Sequence, residues 1–168
     1  MKTITVFIGL GSNIAQPREQ VKSAISALAR LPDTVVIKDA GFYESSPMGP
    51  KDQPDYVNTV VECETRLSAS ALLEHCQQIE LTQGSVKKRH WGERSIDLDI
   101  LLYGDQQLNL ENLIIPHVGI CQRDFVYLPL LKLNEEIEIP GKGQLQEIIN
   151  MPESAESVYA CRYAGRIS

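Results

Sequence analysis

The stretch YVNTVVECET, at positions 56–65, decides the fold because its residues fall into two alternating sets, one of which is less polar than the other. Residues at every second position of a β-strand leave the same face of a sheet. One face of this segment therefore carries Val57, Thr59, Val61 and Cys63. The alternation predicts a strand over Tyr56–Thr65, and the flanking segments show which kind of sheet it belongs to.

The segments before this strand predict a strand, a helix and a second strand. Apolar residues alternate over Ile4–Ile8, which is typical of a strand. We expect a loop over Gly9–Gln16, a helix that begins at Pro17, and a strand over Thr34–Tyr43. Ser45–Pro54 contains three prolines and one glycine, which predicts a loop.

The segments after it predict a helix, a basic loop and a further strand. Ser68 is suited to cap a helix whose apolar face carries Leu72, Leu73, Cys76 and Ile79. Gln83–Arg94 is polar and basic, and Ser95–Tyr103 is rich in Ile and Leu, as a strand would be. We expect another helix over Phe125–Leu133 and a short helix after a turn at Gly141.

The predicted order is strand, helix, strand, strand, helix, strand. This is the split βαβ pattern of a ferredoxin-like sheet with helices packed on it. The 168 residues suit one domain, so we predict a single α+β domain over residues 1–168, in which residues 151–168 form a polar tail.

Composition narrows the class of function. A formal net charge of -6 is unfavourable for general binding of nucleic acid, whose phosphates are held mainly by Lys and Arg. The four cysteines form no C-x-x-C pair, which favours a reduced compartment. The N-terminal apolar stretch is interrupted by polar residues and ends at Gly9, so we expect a cytoplasmic protein without a membrane span.

Two carboxylates in the last predicted strand are the first candidates for chemistry. Asp97 and Asp99 are two positions apart, so they leave the same face, whereas Leu98 points the other way. Carboxylates are preferred Mg²⁺ ligands, and paired metal ions recur in phosphoryl chemistry. Two solvated surface acids explain the same pattern and, on these residues alone, are the better explanation.

A cluster of cations lies directly upstream of this pair: Lys87, Lys88, Arg89, His90 and Arg94. Cations beside metal-binding carboxylates suit a nucleoside triphosphate, because they neutralise the phosphate oxygens that the metal leaves free. A solvated basic loop is the alternative. Together, the acids and the cations favour a phosphate site.

Other segments are less specific. Gly9–Ile14 resembles a dinucleotide fingerprint but lacks its third glycine, and no G-K-[ST] follows, so we interpret it as a structural turn. Tyr56 and Phe125 could stack on a ligand or pack in the core. Asn58 requires a polar partner, and His117 could contact a phosphate or cap a turn.

As a set, these segments resemble the hydroxymethyldihydropterin pyrophosphokinase family, which activates the pterin of folate biosynthesis. The main match is HWGERSIDLDIL at positions 90–101, which is similar to the family signature throughout. The similarity extends over about Ile4–Leu131. It also includes, in the expected order, Gly11–Asn13, Phe42–Tyr43, Pro47–Pro50, Asp52–Asn58, Ile79–Glu80 and Pro116–His117.

The resemblance implies a role for each matching residue. Asp97 and Asp99 would hold two Mg²⁺ ions, Tyr56 and Phe125 would sandwich the pterin ring, and Asn58, Ser45 and Met48 would bind its edge. The residues implied on the ATP side are Gln77, Glu80, Trp91, Arg94, Ile100, His117 and Arg123, with Arg94 and Arg123 on phosphates. The implied reaction transfers pyrophosphate from ATP to the pterin hydroxymethyl group and releases AMP. We expect a monomer with these two small molecules as its partners, and no nucleic acid or membrane.

Ser85 and Val118 depart from the family pattern. Many members have Arg at the position of Ser85 and an aromatic residue at that of Val118. Lys87, Lys88 and Arg89 would supply the missing charge, and Lys87 would act in catalysis with Arg94. Lys lacks the bidentate fork of Arg, so we expect altered turnover. A non-catalytic binding module and a metal-dependent phosphohydrolase are the rival functions, and analysis of the products separates them.

Overall fold

The computed structural model describes residues 2–14, 16–45, 56–84, 96–150 and 161–167. The strands in these residues are β1 (Ile4–Ser12), β2 (Thr34–Asp39), β3 (Phe42–Ser45), β4 (Tyr56–Thr65), β5 (Asp97–Tyr103), β6 (Leu108–Leu110), β7 (Leu113–Ile115), β8 (Glu138–Ile139), β9 (Gly143–Gln144) and β10 (Arg162–Gly165). The helices are α1 (Pro17–Ala29), α2 (Ala69–Gly84), α3 (Asp124–Leu133) and α4 (Leu145–Ile149). None of these described helices combines the length and the hydropathy needed to cross a bilayer.

Strand β4 lies in the middle of the main sheet and pairs with three other strands. It runs antiparallel to β1, from Ile4 opposite Thr65 to Ser12 opposite Val57. On its other side β3 pairs with its first residues and β2 with its last ones. The sheet order is β10-β3-β4-β1-β5. This arrangement confirms the predicted α+β, ferredoxin-like fold, with a second strand divided into β2 and β3.

Helices cover both faces of this sheet. One core contains Ile8 of β1 with Leu28 of α1 and Leu72 of α2. The other core contains Phe7 of β1 and Val60 of β4 with Leu130 of α3. Alternate residues of β1 thus enter opposite cores, as the period of a strand requires. Ser68 accepts a hydrogen bond from the Ala71 amide at 3.1 Å, so it caps α2 as predicted.

The predicted loop over Gly9–Gln16 is wrong in its first half. Gly9 to Ser12 continue β1, and Gly11 is paired with Asn58 on one side and with Asp97 on the other. Glycine has a low strand propensity, which is why the sequence indicated a turn. Backbone pairing with two neighbours overrides that preference, because each amide and carbonyl finds a partner in the sheet.

The predicted strand over Thr34–Tyr43 is interrupted at Gly41, whose φ is 87°. This left-handed conformation ends β2 and redirects the chain into β3. A Cβ at Gly41 would lie 2.7 Å from Cε1 of Tyr163 and 2.9 Å from the carbonyl oxygen of Gly165. The break therefore makes room for the close approach of β10.

Strand β10 lies in the segment that the sequence indicated only as a polar tail. It pairs with β3 at the edge of the sheet. Arg18 of α1 donates to the Ala164 carbonyl at 3.0 Å and to the Glu44 carboxylate at 2.8 Å. The Cys161 amide donates to Oδ2 of Asp124 at 3.0 Å. These bonds attach the end of the chain to α1, β3 and α3.

Candidate active site

The two aspartates of β5 leave the sheet on one face, as predicted. Asp97 and Asp99 are exposed, whereas Leu98 between them and Ile100 after them are buried. Both aspartates line the same cavity. Two ordinary surface acids would have explained the same sequence pattern. Their position at a cavity makes them available to a bound ligand.

Helix α2 fixes the backbone between these aspartates. Oε2 of Glu80 accepts a hydrogen bond from the Leu98 amide at 2.8 Å. Hydrogen bonds to an ionised acceptor are stronger than those between neutral groups, so this contact holds the strand firmly. The family resemblance implies that Glu80 lies on the ATP side. In the structure its carboxylate binds the backbone amide of Leu98, which lies between the two aspartates.

The first cavity has a volume of about 240 Å³ and opens on the face of the sheet that α3 covers in part. It brings together seven of the residues that the sequence indicated, namely Ser45, Tyr56, Asn58, Asp97, Asp99, Arg123 and Phe125. They come from β3, β4, β5 and the beginning of α3. Four chain segments that are distant in sequence thus converge on one space.

The walls of the first cavity differ in polarity. Ser45 and Asn58 are nearly buried, with 1% and 8% of their surface exposed, and they offer hydrogen-bonding groups. Tyr56 is 36% exposed and Phe125 packs partly against the α3 core. A flat, partly polar molecule suits such a site, since aromatic rings bind its faces and buried polar groups bind its edge.

The floor of the first cavity contains residues that the sequence did not indicate as functional. Gly9 and Gly11 of β1 line it, as do Leu101 and Val126. Glycine within a strand often marks a close approach of another group to the backbone, and this was the available signal. It was missed because both glycines were assigned to a turn.

A second cavity of about 320 Å³ lies on the other side of β5. Its lining includes Leu98, Ile100 and His117, together with Leu73 of α2 and residues 111–114. Asp99 lines this cavity as well as the first one. One carboxylate therefore faces two spaces, in which two reactants could lie side by side.

His117 is oriented by the backbone that follows it. The Gly119 amide donates to Nδ1 of His117 at 3.0 Å, so the neutral ring carries its proton on Nε2. Nε2 lies 3.9 Å from Oδ2 of Asp99. Burial lowers the pKa of His117 and nearby Arg123 lowers it further, whereas the Asp99 carboxylate opposes both effects. The shift favours the neutral ring, which offers one N–H donor beside the carboxylate.

Other predicted site residues are not brought together here. Gln77 is exposed on α2 and is absent from the lining of both cavities. Met48, Lys87, Trp91 and Arg94 lie outside the described residues. Ser85, which departs from the family pattern, also lies outside the described residues. Val118, the other departure, is 63% exposed and lines the second cavity.

Comparisons with known proteins agree with this geometry. The sequence profile of the family described as 7,8-dihydro-6-hydroxymethylpterin-pyrophosphokinase (HPPK) matches residues 7–135. The 2-amino-4-hydroxy-6-hydroxymethyldihydropteridine pyrophosphokinase of Haemophilus influenzae is 44% identical over 146 residues, which are 87% of this chain and 91% of that protein. The enzyme of the same name from Pseudomonas aeruginosa is 44% identical over 144 residues, which are 86% of this chain and 89% of that protein.

A solved structure supports the fold. The HPPK-DHPS protein of Plasmodium falciparum superposes with a TM-score of 0.66 at 14% identity. The superposition covers 89% of this chain and 45% of that one, so the chain spans less than half of that larger protein. At this low identity the likeness concerns the fold alone. The profile match and the two relatives at 44% identity show that this chain belongs to the 7,8-dihydro-6-hydroxymethylpterin-pyrophosphokinase family.

Proposed function

We propose that this protein transfers pyrophosphate from ATP to the hydroxymethyl group of 6-hydroxymethyl-7,8-dihydropterin, in folate biosynthesis. The products are AMP and the pterin diphosphate. The observation that carries this proposal is the position of Asp99, which lines two neighbouring cavities. A transfer between two substrates requires their reacting atoms to be held close together, and Asp99 lies where the two cavities meet.

The first cavity is the proposed pterin site. Tyr56 and Phe125 offer aromatic surface for the ring, and Asn58 and Ser45 offer polar groups for its edge. The ring of a pterin carries several donors and acceptors in one plane, so a few fixed polar groups can distinguish it from other flat molecules. Met48 is proposed for the same edge from the family resemblance.

The second cavity is the proposed nucleotide site. Ile100 contributes apolar surface to it, and His117 offers the N–H of its Nε2. Arg123 lines the first cavity, where its guanidinium would meet the phosphates that reach towards the pterin. The family resemblance adds Gln77, Glu80, Trp91 and Arg94 to the nucleotide side, and Lys87 with Arg94 to catalysis.

Asp97 and Asp99 suit magnesium because they are exposed carboxylates on one face of a strand. In nucleotide enzymes Mg²⁺ takes one or two protein carboxylates and completes its shell with phosphate oxygens and water. We propose two ions at this pair. When bound, magnesium neutralises charge on the entering and leaving oxygens and lowers the pKa of the attacking hydroxyl.

In the proposed reaction the hydroxymethyl oxygen of the pterin forms a bond to the β-phosphorus of ATP. The bond between that phosphorus and the oxygen bridging to the α-phosphate breaks, and this oxygen leaves with AMP. The hydroxyl proton passes to a base. The candidates for this base are Asp97 and Asp99, whose carboxylates line the first cavity. The protein thus positions two substrates and stabilises charge, as is general in phosphoryl transfer.

Product analysis tests this proposal. The protein is incubated with ATP, MgCl₂ and 6-hydroxymethyl-7,8-dihydropterin, and the nucleotides and pterins are separated by ion-pair chromatography. We expect AMP and pterin diphosphate in equal amounts. A reaction without the pterin is the control. ADP or free phosphate in that control would favour a phosphohydrolase, and the absence of any product would favour a binding module.

A further inference from the structure

Gly11 occupies an unusual place for a glycine. It lies inside β1, which is paired on both sides, and it faces the first cavity. Glycine within a strand is unfavourable, because it loses much conformational freedom and offers no side chain to pack. Its φ is outside the left-handed range that favours glycine. The backbone at this position therefore does not itself require glycine.

The reason for glycine is space, and Asn58 takes that space. A Cβ at Gly11 would lie 2.3 Å from Oδ1 of Asn58 and 3.3 Å from its Cγ. Carbon and oxygen atoms in weak contact are about 3.3–3.6 Å apart, so a methyl group would displace the amide by about 1 Å. The side chain of Asn58 therefore lies directly over the α-carbon of Gly11.

The neighbouring glycine provides a contrast. A Cβ at Gly9 would meet the side chain of Leu101 at 3.5 Å, which is an ordinary van der Waals distance. Both glycines lie in the same strand and on the same face. Only Gly11 is required by the position of a polar side chain in the cavity.

We propose that Gly11 is a positioning residue for the pterin, because its missing side chain lets the Asn58 amide lie across β1 and present its polar atoms to the ring. This inference rests on the proposed function, in which Asn58 binds the edge of the pterin. A displacement of about 1 Å can cost a factor of about 100 in a site that depends on orientation. Asn58 gives the hydrogen bonds, and Gly11 fixes where they are offered.

A double-mutant cycle tests this inference with Gly11→Ala, Asn58→Ala and the double variant. Titration calorimetry measures the dissociation constant of 6-hydroxymethylpterin with MgCl₂ and a saturating non-hydrolysable ATP analogue present and, separately, that of the analogue alone. We expect Gly11→Ala to weaken pterin binding by about 10- to 100-fold and analogue binding by less than about 2-fold. In the Asn58→Ala background the same change should weaken pterin binding by less than about 3-fold, because the displaced amide is absent.

Thermal unfolding gives a second reading that needs no ligand. Gly11→Ala should lower the Tm more than Gly9→Ala, which adds a methyl group to the same strand without the short contact. Asn58→Ala should recover most of that loss. If Gly11→Ala alone fails to fold, folding of the double variant supports the inference, and failure of both overturns it.

The remaining outcomes are equally decisive. Unchanged pterin binding in Gly11→Ala, or an equal loss in both backgrounds, overturns the role of Gly11 while the proposed function stands. If the unmodified protein binds no pterin even with MgCl₂ and the saturating ATP analogue present, the proposed function fails and this inference fails with it. In that case the Tm readings still show whether Gly11 and Asn58 compete for space.

Discussion

The two cavities that meet at Asp99 are built in different ways. The first lies on the sheet itself, and its nearly buried polar residues, Ser45 and Asn58, belong to paired strands. Among the described residues, the lining of the second takes from the main sheet residues of β5 alone, the last strand in the sheet order. It is completed by Leu73 of α2, residues 111–114, His117 and Val118. A polar side chain on a strand that is paired in the sheet has little freedom to move, so it cannot easily adapt to a different ligand. We therefore expect discrimination between ligands to depend mainly on the first cavity.

Replacement of either aspartate should have the largest effect, because Asp97 and Asp99 are the proposed magnesium ligands and Asp99 lines both cavities. Asp97→Ala or Asp99→Ala should reduce the formation of AMP by about 1,000-fold or more, as loss of about 4 kcal/mol of charge stabilisation implies. Asp105→Ala, which removes an exposed acid just beyond β5, is the matched control. Circular dichroism should show that all three variants fold. Near-normal turnover in either site variant would contradict the assignment.

Asn58→Ala should weaken binding in the first cavity and leave the second nearly unchanged. Loss of hydrogen bonds at the proposed pterin edge corresponds to about 1–3 kcal/mol, so the KM for the pterin should rise by about 5- to 150-fold. The KM for ATP should change by less than about 2-fold, since Asn58 lies only in the first cavity. Steady-state kinetics with each substrate varied measures both values. Asn109→Ala, an exposed residue of β6, is the control, and an equal rise in both KM values would remove the distinction.

Glu80→Ala should affect the strand that the two cavities share. It removes the acceptor for the Leu98 amide and lets the aspartates shift, so kcat should fall by about 10-fold while the KM for the pterin stays constant. Glu80→Gln retains an acceptor oxygen and should recover part of the loss. Glu74→Ala on the exposed side of α2 is the control. Equal losses in the Ala and Gln variants would show that Glu80 acts through its charge.

The smallest effect concerns Cys63, which is buried in the core that α1 and α2 cover. Burial, with a smaller contribution from Glu62, raises the pKa of Cys63 from 9.0 to about 12. Between these values the unfolded chain loses a proton that the folded protein keeps. The free energy of unfolding should therefore fall as pH rises above 9, by at most about 1.4 kcal/mol per pH unit for this thiol.

Urea unfolding at pH 8 and pH 10.5 measures this loss. Cys63→Ala should be less stable at both values, because it leaves a small cavity in the core. The difference between the two pH values should nevertheless be smaller than in the unmodified protein. Identical differences would mean that Cys63 does not contribute. Alkaline unfolding should abolish binding in both cavities together, because it disrupts the strand β5 that they share.

The sequence predicted those features that depend on local periodicity. The strand over Tyr56–Thr65 has the predicted ends, and Asp97 and Asp99 share a face because they are two residues apart. The fold class followed from the order of such segments. These predictions succeeded because alternation and helical spacing reflect which face of an element is buried.

The features that were missed depend on contacts between distant segments. Gly11 belongs to a strand because two neighbours pair with it, and the break at Gly41 accommodates Tyr163, which is far away in sequence. The bond from the Leu98 amide to Glu80 likewise joins two elements. No local pattern contains such information, since each contact exists only once the sheet has formed.

The attachment of β10 has a consequence for the order of folding. Arg18 reaches Ala164 across 146 positions of sequence, and Arg162 contacts Glu44 across 118. Contacts of such separation form slowly, because closing a long loop costs entropy before any bond forms. During synthesis they must wait until residues 162–164 have left the ribosome. We therefore expect β3, and with it the wall that carries Ser45, to reach its final state among the last parts of the molecule.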